Sequence, residues 1–295
     1  MNDLLTYPMI IYAATFDESK QISPFEFAPT MNPDHARDII TAFICARMRE
    51  SGASGAVIGL SGGIDSAVTA YLTVEALGSE NVLGIMLPVQ NLTPGHDTDD
   101  AVDIANRLGI EYRIIEIGSA LHTLSNLIPD YDAGVAVANG NLTARIRMCV
   151  LYYYANLMNR LVIGTGNRTE LLLGYATKYG DAGVDMEPLG DLYETEVFEL
   201  ARFLGVPGRV IEKPPSARLW AGQTDEGELG MRYQDIDRIL RMLVDEKMSM
   251  GEIEVLGVPA DACHRLTNLI RINEHKRRVP PKAIVRDDRN TDNNL

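Results

Sequence analysis

The chain has 295 residues, 46 % of them hydrophobic and 23 % charged, the balance of an ordinary globular protein with enough length to bury a sizeable core. Its 41 acidic residues against 27 basic ones leave a net charge of −14, which excludes a general nucleic-acid or membrane-surface binder. No run of about eighteen apolar residues offers a membrane span, no basic-then-apolar leader opens the chain, and Cys45, Cys149 and Cys263 form no CxxC pair. Disulfide frameworks and zinc sites are therefore unsupported, and a reducing, cytoplasmic setting is expected.

Residues 1–31, with Pro8, Pro24 and Pro29 and no clear period, read as an irregular N-terminal extension. Residues 32–285 read as a single domain and 286–295 as a flexible polar tail. Asn32 is an N-cap residue and Pro33 suits the first helical position, so a helix is predicted to about Glu50. Ile39, Ile40, Phe43, Ile44 and Met48 form its apolar stripe. An apolar run at 56–60 predicts a short buried strand, and Ile64, Ala67, Val68 and Tyr71 recur at helical spacing beyond it. Between them lies Ser61-Gly62-Gly63. A glycine turn at a helix start presents unpaired N–H groups at the positive end of the helix dipole, so it suits phosphate. Ser61 and Ser66 add hydroxyls. Asp65 needs a positive companion there, and a magnesium ion carried by a polyphosphate would supply it. No Gly-Lys-Ser/Thr follows, so the stretch is not a Walker A loop, and it is not the dinucleotide fingerprint either.

Further on, 81–88 predicts a second buried strand, 95–108 a helix ended by Gly109, 111–117 a third strand and 119–127 another helix. His96, Asp97, Asp99 and Asp100 look like a metal cluster on paper, but acidic residues in a first helical turn are more simply explained by capping and the helix dipole. A long helix is expected from 140 to 159, with Arg145 and Arg147 on different faces and Arg145 the better anion ligand if the helix start faces the crevice. A fourth strand at 161–163 leads into Gly164-Thr-Gly-Asn-Arg-Thr-Glu170. Strands alternating with helices imply an α/β fold, a parallel sheet flanked by helices on both faces, with ligands at the carboxyl ends of the strands. Asp65 and Glu170 then converge from separate strand ends as a magnesium pair. Residues 174–191, rich in Gly, Asp and Tyr, predict a long functional loop. Helices are expected at 193–204, 233–244 and 260–273, with a Pro- and Gly-rich connection at 206–228. The basic run His275-Lys-Arg-Arg278 suits an anion-binding cap.

Ser-Gly-Gly-x-Asp-Ser after a strand resembles the pyrophosphate loop of the ATP pyrophosphatase superfamily. Together with Gly164-Thr165, Glu170, Thr177-Lys-Tyr-Gly-Asp181, Asp185, Pro188-Leu189, Lys213-Pro-Pro-Ser216, Gly222-Gln-Thr-Asp-Glu226 and His275-Lys-Arg-Arg278, it makes residues 33 to about 285 resemble the NAD synthetase family. The resemblance implies a Rossmann-like, adenine nucleotide alpha-hydrolase-like fold. It implies an ammonia-dependent ligase that amidates deamido-NAD through an adenylate, releasing NAD, AMP and pyrophosphate.

By the same resemblance Gly59, Leu60, Ser61, Gly62, Gly63, Ile64, Asp65 and Ser66 would hold ATP phosphates, with Thr165 and Ser216 also on ATP. Asp65 and Glu170 would hold Mg2+. Arg145, Lys178, Asp185, His275 and Lys276 would contact deamido-NAD, and Asp181 would orient or deprotonate ammonia beside Asp65 in the catalytic set. An ATP-contacting Lys of the family falls at Glu194 here, the wrong sign for a polyanion, so Lys213 or Arg218 substitutes or phosphate affinity is weakened. Glutamine-using relatives carry an extra amidase domain that finds no room here, and family members are homodimers. The other outcomes compatible with the loop are another ATP pyrophosphatase-type amidating enzyme and a non-catalytic nucleotide-binding paralogue.

Overall fold

The computed structural model describes residues 31–216, 218–220 and 222–285. The N-terminal extension up to residue 30 and the tail at 286–295 lie outside the described residues. Four strands, β1 (Ala56–Gly59), β2 (Val82–Met86), β3 (Glu111–Ile114) and β4 (Leu161–Ile163), form one parallel sheet in the order β3-β2-β1-β4. Ala56 lies opposite both Val82 and Leu161, so β1 is central. β1 and β2 are buried almost throughout, which is why they read as continuous apolar runs. β3 is an exposed edge and ends at Ile114, three residues before the predicted end. Its backbone still follows the sheet, since Ile115 and Ile117 donate to the Met86 and Pro88 carbonyls.

The chain steps from β1 outward to β2 and β3, then returns to add β4 on the other side of β1. That reversal opens a crevice beyond the carboxyl ends of β1 and β4. Helices α1 (Pro33–Ser51), α2 (Ile64–Leu77), α3 (Gly95–Leu108) and, from later in the chain, α7 (Glu194–Leu204) and α8 (Gly208–Ile211) contribute to one apolar cluster with the sheet. Asn32 Oδ1 caps α1, accepting from the Asp34 and His35 N–H groups. Of its expected stripe Ile40, Ile44 and Met48 are buried, whereas Ile39 and Phe43 stay exposed. Helices α4 (Gly118–Leu127) and α5 (Ala136–Met158) contribute to a second cluster with residues of β1, β2 and β4.

A third apolar cluster joins α6 (Arg168–Leu173), α10 (Tyr233–Leu240), α11 (Met250–Val255) and α12 (Ala260–Ile272), with Leu229 of α9 (Asp225–Leu229). Helix α10 runs on as a wider π turn through Asp245, so its predicted end near Val244 is met by a different helical geometry. The four short helices α6, α8, α9 and α11 have four to six residues each, too few for a sequence period to declare them. Residues 174–193 form no helix or named strand, as the composition of 174–191 predicts; only an isolated bridge from Met186 to Ile163 extends the sheet beside β4.

Candidate active site

The anion loop is shaped by one glycine above all. Gly62 has φ +80°, and a Cβ there would stand 2.1 Å from the Asp97 carbonyl oxygen, so neither the backbone nor the space admits a side chain. Ser66 Oγ donates to the Gly63 carbonyl, lies 3.1 Å from Ser61 Oγ and accepts from the Ser61 N–H, tying the loop to the first turn of α2. The helix start has no side-chain cap, which leaves its first N–H groups for an outside acceptor.

Asp97 and Asp100, expected as capping residues, are instead buried anchors. Lys213 Nζ donates to Asp97 Oδ1 at 2.7 Å and the Gly62 carbonyl at 2.9 Å, and lies 2.7 Å from Asp100 Oδ2. Arg218 pairs with Asp97 Oδ2 and Arg209 with Asp100 Oδ1. Lys213 and Arg218, the two bases named for the place that Glu194 leaves without a Lys, thus stand near the loop ion-paired with Asp97, Lys213 with Asp100 as well. Among the described residues no three His, Cys, Asp or Glu side chains form a preformed metal cage.

Asp65 and Glu170 do meet, and the link is Asn167, a fully buried residue that sequence reasoning passed over. Asn167 caps α6: its Oδ1 accepts from the Glu170 N–H while its own N–H donates to Glu170 Oε2, the reciprocal capping box. Its Nδ2 donates to Asp65 Oδ1 at 3.1 Å and Glu194 Oε2 at 2.5 Å. The Asn-x-x-Glu spacing was legible as a cap; its second duty across the sheet was not. Burial pushes the Asp65 carboxyl up to about 6, against the Asn167 hydrogen bond that lowers it. Glu170 is raised well above the usual carboxylate range by burial and then by Asp65.

Glu194 is not on the cavity wall. It is 1 % exposed at the start of α7, behind Asn167, with Oε1 lacking a hydrogen-bond partner and its carboxyl raised by burial, Asp65 and Glu170. Asp65 and Glu194 thus share the Asn167 side-chain amide, and Glu170 takes its backbone N–H. Asp65 and Glu170 line the cavity. Their hard oxygens and mutual repulsion fit Mg2+, which takes one or two carboxylates and completes its shell from phosphates and water.

The cavity has a volume of about 430 Å³ and continues from the anion loop past Thr165, Ser216 and Trp220 to Asp181 and Lys276. Asp181 is exposed at the rim and accepts from the Thr177 N–H. Ser216 Oγ donates to the Gln223 carbonyl. Glu187 seats behind the Gly164–Gly166 turn, accepts from the Gly166 N–H and is pushed by burial up to about 8. A Cβ at Gly164 would fall 2.1 Å from its Oε2. The residues expected on the second substrate divide. Lys276 lines the cavity, with Nζ on the Gly174 and Ala176 carbonyls. Arg145, Lys178 and His275 form a chain outside it, Arg145 donating to the Lys178 carbonyl and Lys178 Nζ to the His275 carbonyl. Asp185 accepts from the Val162 N–H and the Tyr152 hydroxyl beside β4. Arg147 rather than Arg145 lines the cavity.

A parallel sheet with this loop and a carboxylate pair at its switch point defines a nucleotide-binding α/β protein of the adenine nucleotide alpha-hydrolase class. The model of the NAD synthase family matches residues 37–280, and the chain belongs to that family. The NH(3)-dependent NAD(+) synthetase of Methanococcoides burtonii is 50 % identical over 253 residues, 85 % of this chain and 95 % of that protein. Among solved structures, NMN synthetase from Francisella tularensis superposes with a TM-score of 0.76 at 37 % identity, covering 86 % of this chain and 99 % of that one. The NH3-dependent NAD synthetase of Campylobacter jejuni gives 0.73 at 34 % identity, covering 86 % and 100 %.

Proposed function

We propose that the chain is an ammonia-dependent NAD synthetase, amidating the nicotinate carboxyl of deamido-NAD at the expense of ATP. The observation that carries this reading is the meeting of the Gly62 anion loop with Asp65 and Glu170 at the ends of β1 and β4. The loop N–H groups and the start of α2 bind the ATP phosphates and stabilise the charge that develops on the departing pyrophosphate. Lys213 holds the Gly62 carbonyl turned toward itself. Asp65 and Glu170 would hold Mg2+, which when bound supplies charge neutralisation to the leaving group. The substrate carboxylate attacks the α-phosphorus of ATP and pyrophosphate leaves; ammonia then attacks the acyl carbon of the adenylate and AMP leaves. Asp181, at the rim near the acceptor side, takes a proton from bound ammonium, freeing ammonia to attack. No protein nucleophile is required.

We place the working form as a homodimer in the cytoplasm. Leu127, Tyr153 and Leu157 are 71 %, 63 % and 66 % exposed on α4 and α5, beside an apolar groove that Arg145 and Cys149 border. The Arg145–Lys178–His275 chain runs outside the cavity, where a second subunit would complete a dinucleotide site. Among the described residues no helix is long and apolar enough to cross a membrane. The deciding assay supplies ATP, Mg2+ and ammonium with either deamido-NAD or nicotinate mononucleotide, because the Francisella neighbour is named an NMN synthetase. One NAD and one AMP formed from deamido-NAD at far higher kcat/KM than the mononucleotide support the proposal. Preference for the mononucleotide, or no amide product, refutes it.

A further inference from the structure

Five basic side chains line the cavity among the described residues: Arg147, Lys213, Arg218, Arg265 and Lys276. Lys213 and Arg218 are ion-paired with Asp97. Lys276 spans two carbonyls, and Arg265 lies against Gly230 and donates to the Glu228 carbonyl. Arg147 is different in what surrounds it. Its Nε makes a long 3.3 Å hydrogen bond to the Leu87 carbonyl, and its terminal nitrogens have no hydrogen-bond or ion-pair partner among the described residues. Burial depresses this guanidinium, and Asp181 opposes the effect through space without forming an ion pair. An Arg held in a part-buried position with most of its five donors idle is costly unless an anion arrives.

Its neighbours say which part of the cavity that anion would occupy. On the same face of α5, Leu151 packs 3.4 Å from where a Cβ of Gly59 would stand, at the end of β1. Met148 lies 3.2 Å from the corresponding point of Gly183, in the turn that follows Asp181. Arg147 therefore stands between the strand that delivers the phosphate loop and the turn that presents Asp181. The acid substrate would place its carboxylate in that interval, where its oxygen attacks the α-phosphorus and its acyl carbon is then attacked by ammonia.

We propose that Arg147 binds the reacting oxyanion, the carboxylate of the acid substrate, through the free fork of its guanidinium, and so distinguishes the acid from its amide product. The inference rests on the amidating function proposed above. A guanidinium meets a carboxylate with two parallel N–H donors and a full charge, whereas a carboxamide offers one neutral oxygen and two donors of its own. Release of product follows from the same difference.

The test titrates full-length protein with deamido-NAD, with NAD, which differs in that one group, and separately with ATP. It compares wild type with Arg147→Met and Arg147→Lys, and thermal melting checks each fold. Wild type is expected to bind the acid more tightly than the amide. Arg147→Met is expected to lose about 10- to 100-fold in affinity for the acid, as loss of charge-assisted hydrogen bonds predicts, with the amide unchanged. Arg147→Lys recovers part of the loss. If ATP affinity falls while the acid-to-amide ratio holds, the oxyanion is a phosphate of ATP, and the carboxylate assignment is overturned. If no affinity moves in a variant that melts like wild type, Arg147 is a structural residue and the proposal fails outright. Should Arg147→Met fold poorly, Arg147→Lys alone must still shift the ratio. Wild type that ignores deamido-NAD altogether would instead sink the proposed function.

Discussion

Replacing Glu187 by Gln is expected to make the protein more stable at neutral pH and to leave it unchanged in acid. Glu187 lies behind the Gly164–Gly166 turn, and its carboxyl is raised from 4.5 to about 8, chiefly by burial. A raised carboxyl means that the folded state keeps a proton the unfolded chain has already lost. Stability then falls as pH rises from about 4.5 to about 8 and levels off above that. At about 1.36 kcal/mol per pH decade the full cost above pH 8 approaches about 5 kcal/mol, and about half of it develops between pH 5 and 7. Gln keeps an oxygen for the Gly166 N–H and carries no ionisation cost. Melting curves of both proteins from pH 4.5 to 8 should coincide at the acid end. They should separate by roughly 5–10 °C at pH 7, at roughly 2–4 °C per kcal/mol for a chain of this size. A constant gap across the range, or a variant less stable at pH 7 than at pH 5 by the same margin as the parent, would refute the reasoning.

Gly62→Ala is expected to abolish ATP binding, because the new methyl meets the Asp97 carbonyl oxygen; equilibrium titration against wild type decides it, and unaltered affinity would contradict the loop geometry. Asp65→Asn and Glu170→Gln should each stop Mg2+-dependent turnover while the fold survives, and calorimetry with Mg2+ and ATP should show the metal response gone. Lys213→Met removes the donor to Gly62 and leaves Asp97 without a partner from that side; KM for ATP should rise about tenfold or more, as loss of a charged hydrogen bond predicts. Glu194→Gln should keep the Asn167 contact and raise the metal-free melting temperature at pH 8, where three neighbouring carboxylates otherwise compete. Leu157→Glu should halve the mass seen by light scattering if the α4–α5 face pairs subunits.

The sheet was legible because three of its strands, β1, β2 and β4, are short apolar runs separated by helical periods; Leu161–Ile163 was placed to the residue, whereas the polar, exposed β3 ends three residues early. The anion loop was legible because Gly62 has no alternative: positive φ and contact with Asp97 demand it. What escaped was whatever depends on partners distant in sequence. Asp97 read as a capping residue since its Lys213 partner lies 116 positions away. Glu194 read as a charge facing ATP, yet it lies sequestered behind Asn167, an acidic residue in the first turn of α7. Arg145 and Arg147 were separated by helical phase, but which face looks inward is set by α5 packing on β1 and β4, and the inner one is Arg147.

Lys213 reaches the Gly62 carbonyl across 151 positions of chain. The phosphate loop, although written in one stretch of eight residues, is thus finished by a residue synthesised long after it. A nascent chain that has made the sheet but not yet residue 213 owns a loop whose central carbonyl has no such tether, and whose Asp97 is without its lysine. Nucleotide capture therefore registers synthesis past residue 213: affinity for ATP should report on docking of the segment that carries Lys213, and a ligand that binds there would hold that segment against the phosphate loop.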